Sequence, residues 1–230
     1  MKIPYALMTL QQLGWTDLQA TAFAPLAAKG WQAGRIIRDN KITFGILCAD
    51  DSRHEVILGG KVYHDAKTDA DLPTVGDWVA VELGGDVSRN IIRAILPRNR
   101  FLARKEPGKS TACQMIAANV DIAAVVTDPG IDFNLRRIER YLAVIERCQL
   151  HPLVVLNKMD AYPSEEVGNA VESLTQLLPR QQIVLSSAIS EDGVRALEAR
   201  LQAGKTIALL GSSGVGKSSL LNRLLRRDWQ

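Results

Sequence analysis

Residues 211–218, Gly-Ser-Ser-Gly-Val-Gly-Lys-Ser, have the types and spacing needed to grip phosphate. Glycines at 211, 214 and 216 let backbone N–H groups converge on an anion, because a residue without Cβ tolerates close approach and φ values closed to others. The apolar run Thr206 to Leu210 precedes the loop, and Ser219-Leu220-Leu221-Asn222-Arg223-Leu224-Leu225 follows it as a helix candidate. Strand, glycine turn and helix in that order also aim the positive end of the helix at the anion. In this pattern the amides of Ser212, Ser213, Gly214, Val215, Gly216 and Lys217 line the cradle, from Gly211 at its entry to Ser219 beyond it. Lys217 reaches the outer phosphates and the Ser218 hydroxyl ligates Mg²⁺.

A second pattern, Asn157-Lys158-Met159-Asp160, closes the apolar run Leu153 to Leu156. The C-terminal end of a parallel strand is where open α/β sheets bind ligands. A carboxylate such as Asp160 accepts from the adjacent N1 and N2 donors of guanine, which adenine lacks in that arrangement. The Asn157 amide secures the loop and the base edge, and the Lys158 stem covers the ring. A polar site left unpaired by the wrong base discriminates strongly. A third strand, Ile183 to Leu185, ends in Ser186-Ser187-Ala188, a loop suited to backing the same base. Three strand ends thus point to one guanine nucleotide, GTP or GDP with Mg²⁺, rather than to a generic ATPase or kinase.

These motifs need a scaffold, and the chain from Ile116 onward supplies one. Short apolar runs at Val120 to Thr127, Leu153 to Leu156, Ile183 to Leu185 and Thr206 to Leu210 read as buried parallel strands. Between them, Leu135/Ile138/Leu142/Ile145, Val167/Val171/Leu174/Leu178 and Val194/Leu197/Leu201 keep helical stripes. Ser164 is the expected N-cap of the middle helix. The motif order is Asn157 to Asp160, then the serine loop, then the phosphate loop, whereas in an ordinary small GTPase the phosphate loop comes first and the Asn-Lys-x-Asp segment later. That order predicts a circular permutation, which is cheap where termini lie close together at the surface.

Ahead of this lies a different texture. Residues 1–33 form a lead-in with two short helical patterns, the second expected to break at Pro25. From Gly34, strands are expected at Arg35 to Arg38, Lys41 to Ala49, Glu55 to Leu58, Lys61 to His64, Val75 to Leu83 and Asn90 to Leu96, split by turn residues. Five or six strands in this space predict a small closed barrel of OB type over 34–97. Arg89 to Lys109 then carries seven basic residues against the single acid Glu106, with Phe101 among them and Pro97, Pro107 and Gly108 as breakers. A basic linker over 98–115 is expected, with Arg98, Arg100, Arg104 and Lys105 as candidate RNA contacts.

Composition sets outer bounds. The 230 residues carry a formal charge of +3, which permits an acidic partner without requiring one. Cys48, Cys113 and Cys148 lie far apart, so neither a disulfide framework nor a zinc site is legible, and a reducing cytoplasmic setting fits. No eighteen-residue apolar run and no signal-peptide pattern occur, so no membrane contact is expected.

In Val75-Gly76-Asp77-Trp78-Val79, Leu96-Pro97-Arg98 with Arg104, Ala118-Asn119-Val120-Asp121, Arg140-Tyr141-Leu142, Leu156 to Asp160 and Gly211 to Asn222, the chain resembles the circularly permuted GTPases of the RsgA (YjeQ) group, which act in maturation of the small ribosomal subunit. The resemblance runs from about residue 34 to 230. It implies an α/β chain: an all-β OB barrel at 34–97, the basic linker at 98–115 and a permuted P-loop GTPase domain with a mostly parallel sheet at 116–230. It further implies GTP hydrolysis, and binding to the small subunit and its rRNA; a monomer is expected, though nothing in the sequence fixes the oligomeric state.

The family's Asp-x-x-Gly is not found in this chain, and the nearest approach, Asp128-Pro129-Gly130, has the wrong spacing and follows the wrong strand. In the family, switch loops and a zinc-binding domain follow the phosphate-loop helix, so zinc is expected only there. The expectation is a polypeptide cut short before its switches, which binds guanine nucleotide weakly and hydrolyses it poorly. The alternative is an RNA-binding module with a vestigial nucleotide site.

Overall fold

The computed structural model describes residues 9–105 and 113–225. The chain divides into two compact units, Met1–Val120 with Ala203–Thr206, and Asp121–Gln202 with Ile207–Gln230.

In the first unit, strands β1 (Gln32–Asp39), β2 (Thr43–Cys48), β3 (Arg53–Leu58), β4 (Trp78–Glu82) and β5 (Ile91–Ile95) close a barrel in the order β1-β2-β3-β5-β4. All neighbours are antiparallel except β3 and β5. Period-2 alternation puts one face of each strand inward. Ile36, Phe44, Ile46, Cys48, Val56, Val79, Val81 and Ile92 therefore fill the interior. Helix α1 (Asp17–Ala27) seals a second apolar cluster, in which Trp15 and Phe23 pack with Leu13, Leu47, Leu96 and the fully buried Trp78. The Trp15 and Trp78 rings meet edge to face at 4.8 Å, a favoured aromatic geometry.

Three local expectations give way to tertiary context. Pro25 lies inside α1 rather than ending it: the helix is held by its packing on the barrel, and the lost N–H falls near its C-terminal end. Residues expected as a strand at Lys61 to His64 form helix α2 (Gly60–Asp65), which buries none of its residues. The segment expected as a basic linker is a hairpin of β6 (Phe101–Lys105) and β7 (Cys113–Ala118), grouped with the barrel. Lys109, with Pro107 and Gly108, lies outside the described residues.

The second unit is a parallel sheet ordered β10 (Ile183–Leu185), β9 (His151–Leu156), β8 (Ile122–Thr127), β11 (Ile207–Leu210). Helices α3 (Leu135–Arg147), α4 (Ser164–Thr175), α5 (Glu191–Glu198) and α6 (Lys217–Leu225) accompany it. Asn134 caps α3 and Ser190 caps α5 through side-chain oxygens that accept main-chain N–H groups, whereas Ser164 is the first residue of α4 rather than its cap. The last strand in sequence, β11, lies at one side of the sheet beside β8, and because all four strands run parallel the three motif-bearing strands finish at the same C-terminal edge.

Candidate guanine nucleotide site

The phosphate loop begins at Gly211, with φ at 135°, and passes Gly214 at 85° and Gly216 at 93°. A Cβ at 211 would lie 2.2 Å from the Val126 carbonyl oxygen, and one at 216 would lie 2.4 Å from Asn157 Nδ2. Both positions thus require glycine on conformation and on space. Between them Val215, fully buried, anchors the loop in the core with Val126, Val155 and Leu220. Lys217 opens α6, and its ammonium donates to the Gly211 and Ser212 carbonyls at 2.8 and 2.5 Å. A cation held by neutral carbonyls at the mouth of a glycine cradle gains by exchanging them for charged phosphate oxygens. Ser218 and Ser219 are exposed on the first turn of α6, and Ser212 and Ser213 lie in the loop itself.

The Asn157 to Asp160 segment is locked to this loop. Asn157 is completely buried; its N–H donates to the Thr127 carbonyl at 2.8 Å and its Nδ2 to the Val215 carbonyl at 2.9 Å. Its Oδ1 has no hydrogen-bond partner among the described residues, and a buried acceptor without one is costly outside functional sites. Ser186 donates its N–H to the Leu156 carbonyl at 2.9 Å and its hydroxyl to the Gly193 carbonyl at 3.1 Å. Met159 N–H donates to the Ser186 carbonyl at 3.2 Å, and the Ser187 hydroxyl donates to the Asp160 carboxylate. Asp160 is therefore held by the serine loop it was expected to neighbour. Ala188 is half-buried in the same loop. Helix α5 comes so close that a Cβ on Gly193 would stand 2.3 Å from the Ser187 nitrogen. The residues expected from 157–160, 186–188 and 211–219 are thus brought to one end of the sheet. The glycine cradle, the Lys217 ammonium held by carbonyls and the orphaned Asn157 oxygen all fit a guanine nucleotide.

Two side chains at this site escaped sequence reading. Asp128, set aside above as a failed Asp-x-x-Gly, is 4% exposed and pairs with Lys158 at 3.3 Å. Partial burial, and next the Asp128 charge, raise the Tyr162 phenol above its ordinary range. The available signal was positional: Asp128 follows an apolar strand directly, as Asn157 does, and strand ends carry ligands.

The basic candidates part company. Arg98 is consumed internally: Nε and Nη2 hold the two oxygens of the fully buried Asp77 at 2.7 Å each, and the guanidinium also donates to the Ala70 and Leu72 carbonyls. It is a strut of the barrel rather than a free contact. Arg100 is half-buried where the hairpin starts, and Arg104 is exposed on β6 with Nε on Gln114 at 3.0 Å. Lys105 ends β6. Among the described residues, no helix is long and apolar enough to cross a membrane.

Comparison with known proteins agrees with this geometry. The model of the RsgA GTPase family matches residues 95–230, more than half of the chain. The small ribosomal subunit biogenesis GTPase RsgA of Opitutus terrae is 42% identical over 97% of this chain and 62% of its own length. The protein of the same name from Syntrophotalea carbinolica is 38% identical over the same shares. The chain therefore spans about three-fifths of the curated relatives it matches. The crystal structure of YjeQ from Thermotoga maritima superposes with a TM-score of 0.65 at 26% identity, over 84% of this chain and 65% of that one. With the motifs in permuted order on a parallel sheet, in a chain that also folds a closed barrel, the chain belongs to the RsgA GTPase family.

Proposed function

We propose that this chain binds GTP and GDP at the end of the parallel sheet, as the nucleotide-holding part of a factor that acts in small ribosomal subunit biogenesis. The observation that carries the reading is the Asn157 to Val215 hydrogen bond, which makes one structure of the base segment and the phosphate loop. Asp160, set by Ser187, takes the guanine N1 and N2 donors. The amides of 212–217 and Lys217 take the phosphate charge, and the Ser218 hydroxyl contributes a ligand to Mg²⁺. Magnesium, when bound, neutralises phosphate charge and stabilises the transferring group. The sequence carries no Asp-x-x-Gly to hold the hydrolytic water, so turnover by residues 1–230 alone is slow.

The test is a titration of labelled GDP, GTP and ATP into the purified chain with and without Mg²⁺, followed by GTP turnover on the same sample. Selective guanine binding with little turnover is the expected result. Equal affinity for ATP would overturn the reading.

A second activity rests on the β6–β7 hairpin, where Phe101 and Ile116 are 45% and 39% exposed and Arg104 faces solvent. An exposed aromatic and an exposed cation on one hairpin suit stacking of unpaired bases and contact with a phosphate backbone, and rRNA is the partner this supports. Arg104→Ala should weaken RNA binding and reduce its salt dependence; an unchanged affinity would remove the hairpin from the RNA-binding surface.

A further inference from the structure

Strands β8 and β9 run parallel with Thr127 opposite Leu156. The next residues, Asp128 and Asn157, therefore leave the sheet side by side. Asp128 is nearly completely buried, and its two carboxylate oxygens have separate tasks. Oδ1 accepts the N–H groups of Gly130 and Asp132, both at 3.2 Å. Oδ2 accepts from the Lys158 ammonium at 3.3 Å. Two main-chain donors fix one oxygen, and so the other points to a fixed place.

The Lys158 backbone is left-handed, with φ at 60°, a conformation strained for any residue that bears a Cβ. Its side chain is 38% exposed against 5% for Asp128, so the ion pair joins a partly exposed cation to a buried anion. Tyr162 completes the cluster. Its ring lies so close to Gly130 that a Cβ there would stand 2.1 Å from Cε1, and it holds the 128–130 turn against the segment that follows Asp160.

We infer that Asp128 is a positioning residue of the guanine site, holding the Lys158 ammonium so that the methylene stem stands ready as one wall for the base. The inference rests on the proposed nucleotide site. A free lysine side chain carries large rotamer entropy that ordering on ligand binding must overcome. With the ammonium already held, that loss is met during folding instead. Asp128 acts through Lys158 and touches no nucleotide.

Asp128→Asn is the diagnostic variant, because the amide oxygen still accepts from Gly130 and Asp132 while the charge that holds Lys158 is gone. Affinities for GDP are measured by fluorescence titration on the full chain, with inorganic tripolyphosphate as a competitor that probes the phosphate loop without a base. The expected result is an affinity for GDP lower by about tenfold, with tripolyphosphate competition unchanged. In a Lys158→Met background, which keeps a stem but no ammonium, Asp128→Asn should have no further effect on GDP. If Asp128→Asn binds GDP as the parent does, the inference is overturned. The same holds if it weakens GDP and tripolyphosphate alike, since Asp128 would then only support the turn, or if its effect persists undiminished in the Lys158→Met background. Should Lys158→Met not fold, the two ligands with Asp128→Asn decide alone. Absence of GDP binding by the parent chain would instead overturn the nucleotide site, and the inference with it.

Discussion

The Asn157 side-chain amide donates to the Val215 carbonyl at 2.9 Å, across 58 residues of sequence and wholly inside the core. This bond joins the segment proposed to read the base to the loop proposed to hold the phosphates. Asn157→Asp keeps the shape but replaces a donor with an anion facing a carbonyl oxygen. Loss of a buried hydrogen bond of this kind costs about 1–3 kcal/mol, so GDP affinity should fall by roughly fivefold to 150-fold. Isothermal titration with GDP checks this, and an affinity within twofold of the parent would show that the bond is not needed to assemble the site.

Gly214 and Gly216 offer a controlled pair. Both have left-handed φ values, 85° and 93°, but a Cβ at 214 meets nothing within 4 Å while one at 216 strikes the Asn157 amide at 2.4 Å. Alanine at 214 therefore bears only backbone strain, about 1 kcal/mol. Alanine at 216 bears similar strain and must also displace Asn157. Thermal unfolding should show a clearly larger loss for Gly216→Ala than for Gly214→Ala, and equal losses would place the cost in φ alone.

The parts of this site legible in the sequence were those written contiguously. Gly211 to Ser218 and Asn157 to Asp160 each fold locally, with a strand before and a helix or helical turn after, so type and spacing suffice. Asp128 was passed over because its partner Lys158 lies 30 residues away and only the β8–β9 register brings the two together. Arg98 was read by charge alone, although its role is decided by Asp77, a residue whose burial no local pattern announces. The hairpin of β6 and β7 was hidden for a related reason: its basic residues suggested solvent, while pairing such as Arg104 with Gln114 satisfies the backbone regardless of side-chain charge. Residues 61–64 alternate in a way that suits a strand, yet no neighbouring strand is available to pair with them, and a solvent-facing helical turn results.

The Arg98 geometry makes the next prediction. Its side chain is 16% exposed and Asp77 is fully buried, so removing the guanidinium strands a carboxylate in the barrel. Breaking one side of a buried pair costs about 3–5 kcal/mol. Arg98→Ala should lower the unfolding midpoint sharply, whereas Arg104→Ala, on an exposed face, should change stability by about 0.5 kcal/mol at most. Asp77→Asn combined with Arg98→Met should recover part of the loss, because no unpaired charge remains. If Arg98→Ala were as stable as Arg104→Ala, the pair would be adding nothing to the barrel.

Cys48 supplies a pH dependence. Burial in the barrel pushes its thiol above the ordinary value of 9.0, outweighing the hydrogen bond with Ser52, while the Asp50 charge adds to the rise. The unfolded chain therefore releases this proton at lower pH than the native one. Between those two values the native state binds more protons, and stability falls as pH rises. The contribution is fully present below the unfolded value and is lost as pH climbs through about 9 and beyond. Comparing denaturant midpoints from pH 7 to pH 10.5 for the parent and Cys48→Ala isolates it. The alanine variant should start less stable at pH 7, since a packed sulfur is gone from the core that includes Ile36, Ile46 and Val56. It should then lose less stability with alkali, so that the two curves converge. Parallel curves would mean that Cys48 titrates alike in both states, and that burial in this barrel leaves its thiol unshifted.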